Sequence, residues 1–403
     1  MKVLTFTTSY PNAIRPEFCV FVENRLRKLV GRGNVEACVM APVPWFPSAH
    51  PVFGDYARHA KVPDFEVRHS VTVLHPRYPV IPKLGMTVHP LLLYLWTRRR
   101  VAWLLRAGFD FDLIDAHFFY PDGVAAALLA LEFGRPLVIT GRGTDLNLVP
   151  RHVLPRRMIQ WAAGQSAGMV TVCRALKDAL TGLGVAPELV EVLRNGVDLD
   201  AFQPEPRDEA RRALGEAEDG TVIVSVGALV ERKAHHLTIG ALPRLPGVRL
   251  LIAGEGPEEP HLRQLASVLG VAEQVRFLGQ IPHRQLKTVY SAGDAMVLAS
   301  SREGWANVLL EAMACGTPVC ASDIWGTAEA VESPEAGLLM PERTSAALAD
   351  TLTRLLASPP DRAATRAYAG HFTWDSTSQD LEALFRTVID AGGRQPASAL
   401  QEV

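Results

Sequence analysis

Short hydrophobic runs alternate with longer amphipathic stretches along nearly the whole chain. Residues 3–8, 35–41, 113–116, 137–140 and 169–172 read as buried strands, apolar on both faces and too short for helices. Helical spacing falls between them at 17–30, 123–132, 155–163 and 174–183, and at 87–106, where Leu91, Leu92, Leu95, Trp96 and Trp103 stand beside Arg98, Arg99, Arg100 and Arg106. Residues 42–82 break the rhythm. They are rich in proline and aromatic residues, poor helix material with one extended run at 67–74, and are expected to form a mobile insert near a substrate. After a polar, proline-containing segment at 199–220 the alternation resumes, with strands at 222–226, 249–253, 275–277, 295–298, 318–321 and 337–339. Helices are predicted between them at 236–242, 260–269, 285–292 and 306–314, then at 345–357, 362–370 and 374–391. Strands alternating with helices at this spacing predict an α/β protein with parallel, doubly wound sheets.

Length makes this two sheets rather than one. A chain of 403 residues exceeds a single ordinary core, and the polar 199–220 segment is the natural linker. Two Rossmann-like domains facing across a cleft would place a ligand at the strand C-termini. With 48% hydrophobic and 21% charged residues and a net charge of −2, the chain reads as soluble and globular, with no global case for nucleic acid. Its five cysteines form no CxxC pair, and free buried thiols in a reducing compartment are expected. The first residues are a strand rather than a signal peptide, nothing is apolar enough to span a membrane, and 392–403 is expected to be a disordered tail.

Candidate chemistry gathers at strand ends. The stretch from Ser301 to Cys320 predicts a loop carrying Glu303, a helix of about three turns, a stop at Gly316 and Pro318, and a buried strand. Asn307 and Glu311, four apart, share one helix face. Around Ala306 the first helical amides lack intrahelical partners and can receive phosphate without a lysine. The other reading is an amphipathic core helix with two solvated glutamates. In Val226–Lys233 a strand runs into a turn that offers Arg232 and Lys233 to a diphosphate, or simply to solvent. Gly254-Glu255-Gly256-Pro257 is a second glycine turn lacking the third glycine of GxGxxG, so dinucleotide binding is poorly supported. His117 follows a buried strand, where a histidine serves either a phosphate or sugar hydroxyl or the structure alone. Arg142 and Asp145 follow the next strand. The histidines show no metal spacing, and no G-x-S-x-G elbow appears.

Together these segments resemble the retaining, nucleotide-sugar-dependent glycosyltransferases of family 4, the glycosyl transferases group 1, which have the GT-B fold. The resemblance rests on Gly227 to Lys233, Gly254 to Pro257, Val275-Arg276-Phe277-Leu278-Gly279, Glu303-x7-Glu311 with Glu-Ala-Met-Ala-Cys-Gly-Thr-Pro-Val, Gly337, and Asn195-Gly196-Val197-Asp198 with Phe202. It implies an acceptor-side N-terminal domain over 1–198, completed by the C-terminal helix 372–391, and a nucleotide-sugar domain over 221–371. It also implies that Glu303 meets donor-sugar hydroxyls, that amides near Ala306, Asn307 and Val308 hold the diphosphate with Gly304 and Trp305 also on the donor side, and that Glu311 holds the ribose. Lys233 and Arg232 would neutralise phosphate, Gly254, Gly256 and Leu278 would line the nucleotide, and His117 would approach the sugar. Arg15, Arg142 and Asp145 would lie on the acceptor side. The chain departs from the pattern at four places. No arginine follows Gly227, Ile14 to Phe18 replaces the N-terminal Gly-Gly loop, Arg142 stands for a histidine, and Trp305 for a phenylalanine.

The implied activity moves a sugar from a nucleotide-diphosphate sugar to a lipid-linked or glycan acceptor, as in polysaccharide and cell-envelope synthesis, with no cofactor and no metal. A non-catalytic sugar-nucleotide-binding partner subunit and another GT-B enzyme such as a nucleotide-sugar epimerase are the alternatives. The expected location is the cytoplasm, with the 91–106 helix either resting peripherally on an anionic membrane or packed as an ordinary surface helix.

Overall fold

A computed structural model describes residues 1–80 and 85–392. By internal contacts the chain divides into two compact units, Met1–Arg194 with the residues from Asp375 on, and Asn195–Trp374.

The first unit is built on an eight-stranded sheet. Its strands are β1 (Lys2–Phe6), β2 (Glu36–Met40), β4 (Phe65–Arg68), β5 (Val71–Leu74), β7 (Leu113–His117), β8 (Leu137–Gly141), β9 (Gly168–Thr171) and β10 (Val190–Val192), while β3 (Val43–Pro44) and β6 (Arg77–Tyr78) pair separately. Their order is β10-β9-β8-β7-β1-β2-β5-β4, parallel throughout except at β4–β5. β7 and β8 are buried at every residue; β8 accordingly reads as a near-continuous apolar run, whereas β7 buries Asp115 and His117 as well. One face packs on Val22, Leu26 and Leu29 of helix Val20–Gly31 and on Leu381, Phe385 and Val388 of the last helix, Trp374–Asp390. The spacing of that last trio is one helix stripe, and burying each member stabilises this unit by ~1.5–3 kcal/mol.

The extended run expected at 67–74 is instead a hairpin. His69 and Ser70 both take left-handed φ values, 48° and 67°, as a two-residue turn matched to strand twist requires. Val71 and Val73 turn into the core and β5 pairs with β2, so the segment expected as a mobile insert extends the sheet. Helix Asp55–Lys61 precedes the hairpin.

The second unit carries six parallel strands, β11 (Thr221–Val226), β12 (Val248–Ala253), β13 (Val275–Gly279), β14 (Ala295–Leu298), β15 (Val319–Ser322) and β16 (Gly337–Met340), in the order β13-β12-β11-β14-β15-β16. The reversal of direction at β11 and β14 is the usual place for a ligand in an open sheet. Residues 199–220, expected as a linker, belong to this unit. They form helix Arg207–Ala213, from which the buried Arg211 donates to the carbonyls of Glu218, Gly220 and Ala292 and to Asp294 Oδ2 at 2.7–3.0 Å. A charged composition that looked like solvated chain serves a buried arginine that makes four hydrogen bonds. Among the described residues no helix is long and apolar enough to cross a membrane. The tail expected at 392–403 lies, from 393 on, outside the described residues, as does the end of the proline-rich stretch, 81–82.

Candidate functional site

In the second unit the ends of β11, β12 and β13 are laced by glycine backbone. Gly227 N–H donates to Ala253 O at 2.9 Å and Gly254 N–H to Gly279 O at 2.8 Å. Gly254 holds φ 144°, and a Cβ there would lie 2.0 Å from Gly227 O; one on Gly256 would lie 2.3 Å from Leu229 O. Both positions therefore accept glycine only, for close backbone approach and, at Gly254, for φ as well. The chain then makes a tight turn at Glu231–Lys233 and leaves it through Ala234 at φ 52°.

That turn aims two cations at one carboxylate. Lys233 Nζ donates to Glu303 Oε1 at 2.6 Å, and Arg232 reaches the same oxygen at 3.1 Å and the Arg302 carbonyl at 2.9 Å. Ser301 N–H in turn holds the Arg232 carbonyl at 2.9 Å. Burial by itself would raise the Glu303 carboxyl, but Lys233 first and Arg232 second outweigh it and hold it below its ordinary value. Glu303 is thus a buried, charge-compensated anion rather than a solvated surface residue.

The helix begins at Asn307 and ends at Ala314, two turns rather than three. Ala306 (φ −90°, ψ 86°) offers no side-chain cap, so the first amides point outward with the positive end of the helix dipole. Gly304, Trp305 and Ala306 are buried, Asn307 and Val308 half-buried. The start is pinned by Asn195, whose carbonyl accepts from Trp305 Nε1 at 3.1 Å and whose amide donates to Asn307 Oδ1 at 3.2 Å. At the far end Arg366 donates to Ala314 O and Arg362 to Cys315 O at 3.2 Å, satisfying the terminal carbonyls. Glu311 projects from the last turn, where His283 Nε2 meets Oε1 at 2.8 Å and Tyr290 OH donates to Oε2 at 2.9 Å. Leu278 is half-buried in β13.

In the first unit His117 is the last residue of β7 rather than the first beyond it, and it is 1% exposed. Arg142 donates to its Nδ1 from Nη2 at 2.6 Å and from Nε at 3.2 Å, while Nε2 lies 3.3 Å from Asp115 Oδ2. A guanidinium only donates, so Nδ1 carries the lone pair and Nε2 the proton. Burial, opposed by Asp115 and assisted by Arg142, brings the imidazole down to about 4. Asp145 accepts from the backbone amides of Phe119, Arg142 and Gly143 at 2.7–3.1 Å and shapes the turn. Arg15, half-buried, lies over the Phe18 ring at 4.2 Å, in a turn closed by Asn12 Oδ1.

Of the candidates read from sequence, the structure joins Lys233, Arg232 and Glu303 in one cluster, joins Asn307 to the same short loop and helix as Glu303 and Glu311, and joins His117 to Arg142. Arg15 instead stacks on Phe18. Tyr290, His283 and Asp115 join these candidates only in the structure. A tyrosine on an apolar helix face and an aspartate inside a strand give no sequence signal beyond core packing. Among the described residues no group of three His, Cys, Asp or Glu is placed to hold a metal ion.

Two doubly wound α/β units, one with an ion-paired glutamate beside glycine turns and an uncapped helix start, describe a two-domain α/β protein. The family described as Glycosyl transferases group 1 matches residues 206–372, and Glycosyltransferase Family 4 matches 52–201. The chain is 33% identical over 323 residues to D-inositol 3-phosphate glycosyltransferase 1 of Catenulispora acidiphila, covering 73% of this chain and 77% of that one. It is 37% identical over 218 residues to the D-inositol 3-phosphate glycosyltransferase of Mycobacterium tuberculosis, spanning 51% of this chain and only 45% of that relative. Among solved structures, sucrose-phosphate synthase from Thermosynechococcus elongatus superposes with a TM-score of 0.78 at 19% identity, over 97% of this chain and 99% of that one. Anabaena HepE in complex with UDP and glucose gives 0.73 at 22% identity, over 96% and 100%. The fold is GT-B, and the chain belongs to the family 4 glycosyltransferases of glycosyl transferases group 1. It is a glycosyltransferase.

Proposed function

We propose that this glycosyltransferase takes its sugar from a nucleoside-diphosphate sugar, bound by the second unit, and delivers it with retention to an acceptor handled by the first. The observation that carries the reading is the Lys233–Arg232–Glu303 cluster beside the Gly227 and Gly254 turns. Breaking the anomeric C–O bond leaves charge on the diphosphate. Lys233 and Arg232 supply the compensating cations, and the amides from Gly304 to Val308 add the helix-start field. These groups do the work a divalent ion would otherwise do, which supports a metal-independent reaction without a further cofactor. Glu303, when its cations turn to phosphate, is freed to accept from donor-sugar hydroxyls, and Glu311 accepts from the ribose. The acceptor hydroxyl attacks the anomeric carbon on the face the diphosphate leaves, its proton passing to the departing phosphate oxygen.

HepE is described in complex with UDP and glucose, which supports a nucleotide-sugar donor. In the first unit Arg15, Arg142 and Asp145 line the acceptor side, and His117 acts from β7. The closed pairing of His117 with Arg142 and Asp115 favours a structural contribution from its ring in the unliganded chain. A lipid-linked or glycan acceptor of cell-envelope or polysaccharide synthesis fits a cytoplasmic enzyme that rests on the membrane. Leu91, Leu95, Trp96 and Trp103 lie exposed on helix Gly85–Arg106 among exposed arginines. Incubation with UDP-, GDP- and ADP-sugars, measuring nucleotide release, tests the donor. Lys233→Ala and Glu303→Ala should each lower turnover about a hundredfold or more, and near-wild-type activity of folded Lys233→Ala would remove the phosphate role. Flotation with phosphatidylglycerol vesicles tests the membrane contact, which no binding at low salt would exclude.

A further inference from the structure

Glu311 is held by two side chains that no part of the reaction explains. Tyr290 is fully buried on helix Leu286–Ala292, and its hydroxyl donates to Oε2 at 2.9 Å. Burial first and the neighbouring Glu311 second keep this phenol well above its ordinary pKa, so it is a permanent donor. His283, in the turn His283–Gln285 that leads into the same helix, meets Oε1 at 2.8 Å. A carboxylate only accepts, so the His283 proton sits on Nε2. The imidazole is itself placed edge-on against Phe202, ring centroids 5.2 Å apart, and Phe202 also packs on Tyr290 at 6.2 Å. Phe202 is buried. Each carboxylate oxygen therefore has one donor fixed from the helix Leu286–Ala292 side, and an ionised carboxylate offers about four acceptor positions. One position on each oxygen remains, held in a fixed plane.

Two acceptors a carboxylate's width apart match one ligand chemistry, a vicinal diol giving one hydroxyl to each oxygen. We propose that Tyr290 and His283 are positioning residues that lock Glu311 as a two-point clamp for the 2′- and 3′-hydroxyls of a ribose, and so set the enzyme's discrimination between ribo- and deoxyribonucleotides. The inference rests on the reading of Glu311 as the ribose contact and adds the groups that give that contact its selectivity. Without Tyr290 or His283 the carboxyl rotates, one hydroxyl is lost, and a two-point contact becomes a one-point contact. A site built to bond a hydroxyl rejects the analogue lacking it because its buried acceptor is left unpaired.

Calorimetric titration of the full chain tests this, using whichever of UDP, GDP and ADP binds, with its 2′-deoxy and 3′-deoxy forms, and inorganic pyrophosphate as a diphosphate-only probe. Wild type should prefer the ribonucleotide by about tenfold or more for each hydroxyl removed. Tyr290→Phe, which deletes one oxygen, and His283→Ala should each weaken ribonucleotide binding about five- to tenfold and leave the deoxy forms and pyrophosphate nearly unchanged, collapsing the preference. His283→Gln, which carries a donor near the Nε2 position, should restore it. In turnover the same variants should raise donor KM while kcat holds. Equal binding of ribo- and deoxyribonucleotides by wild type would overturn the ribose role of Glu311 itself. A wild-type preference retained in His283→Ala and Tyr290→Phe would leave that role standing and overturn the positioning proposal. His283 is partly exposed, so its variants decide the matter should Tyr290→Phe fail to fold.

Discussion

Replacing both cations around Glu303, as Arg232→Gln with Lys233→Met, should reverse the sign of this group's contribution to stability with pH. In the wild type Glu303 sits below its ordinary value because Lys233 and Arg232 outweigh burial. A carboxyl lowered on folding adds stability that is fully present above its unfolded pKa and disappears as pH falls through the folded one. In the double variant only burial is left, and the carboxyl rises. The folded state then holds the proton more tightly than the unfolded chain, so the stability is present at low pH and is lost as pH climbs. Glu303 is 9% exposed and the Lys233 side chain 13%, so solvent screens little of the pair. Breaking a buried pair costs about 3–5 kcal/mol, and Arg232, more exposed, contributes the smaller share. For a domain of this size each kcal/mol moves Tm by about 2–4 °C, so at neutral pH the loss is roughly 6–20 °C. Scanning calorimetry from pH 4.5 to 8, read as the difference between variant and wild type, measures it. Adding Glu303→Gln removes the stranded charge and should recover much of the loss at pH 7.5. A double variant whose Tm tracks the wild type across that range, or a triple variant no more stable than the double, would refute the electrostatic account.

Other perturbations read other parts of the structure. Gly254→Ala brings a Cβ 2.0 Å from Gly227 O at a φ of 144°, and should abolish nucleotide binding or soluble expression, checked by titration and thermal melting. Ala234→Gly relieves a left-handed alanine beside Lys233 and should stabilise the second unit by about 1 kcal/mol in a denaturant titration, against a loss if the position needs its methyl. His117, brought to about 4, contributes stability that is complete above its unfolded value and is lost as pH falls from there towards 4; His117→Asn should flatten that limb, roughly 3 kcal/mol in all. Asp122, pushed up to about 7 chiefly by burial, acts in the opposite direction, and Asp122→Asn should leave the first unit more stable relative to wild type at pH 8 than at pH 4.

The alternation of strands and helices was plain in the sequence because parallel strands buried on both faces leave predominantly apolar runs, as β8, β11 and β12 do. What escaped was structure carried by polar residues. The hairpin at His69 and Ser70 turns without glycine or asparagine, so nothing in the run announced a reversal. Residues 199–220 looked like solvated linker because the burial of Arg211 depends on carbonyls at Glu218, Gly220 and Ala292 that no local window relates. The candidate site divides the same way. Glu303, Glu311 and Lys233 stand in recognisable spacing, whereas Tyr290 and His283 act on Glu311 across more than twenty positions and resemble ordinary core and loop residues.

The two glutamates are chemically unlike, and on the proposed function the difference would set an order of events at the site. Glu303 has one oxygen shared by two full cations, so before a donor arrives its charge is already spent inside the protein. Glu311 faces a neutral phenol and an imidazole, donors that orient it and leave acceptor positions open. A ligand's ribose can therefore engage Glu311 with no prior rearrangement. On the proposed function a sugar hydroxyl would gain Glu303 fully only after Lys233 and Arg232 have found another anion to face, and a diphosphate at the adjacent helix start would be that anion. On this reasoning a nucleoside diphosphate carries in itself the charge that releases Glu303, and a free sugar does not. Glucose or another free sugar should bind measurably only once a nucleoside diphosphate is bound. Arg232→Gln with Lys233→Met, by unpairing Glu303 in advance, should weaken that dependence while reducing affinity for the diphosphate. Calorimetric titration of sugar with and without nucleotide decides it, and equal sugar affinity in both conditions for the wild-type chain would show that the ion pair does not gate Glu303.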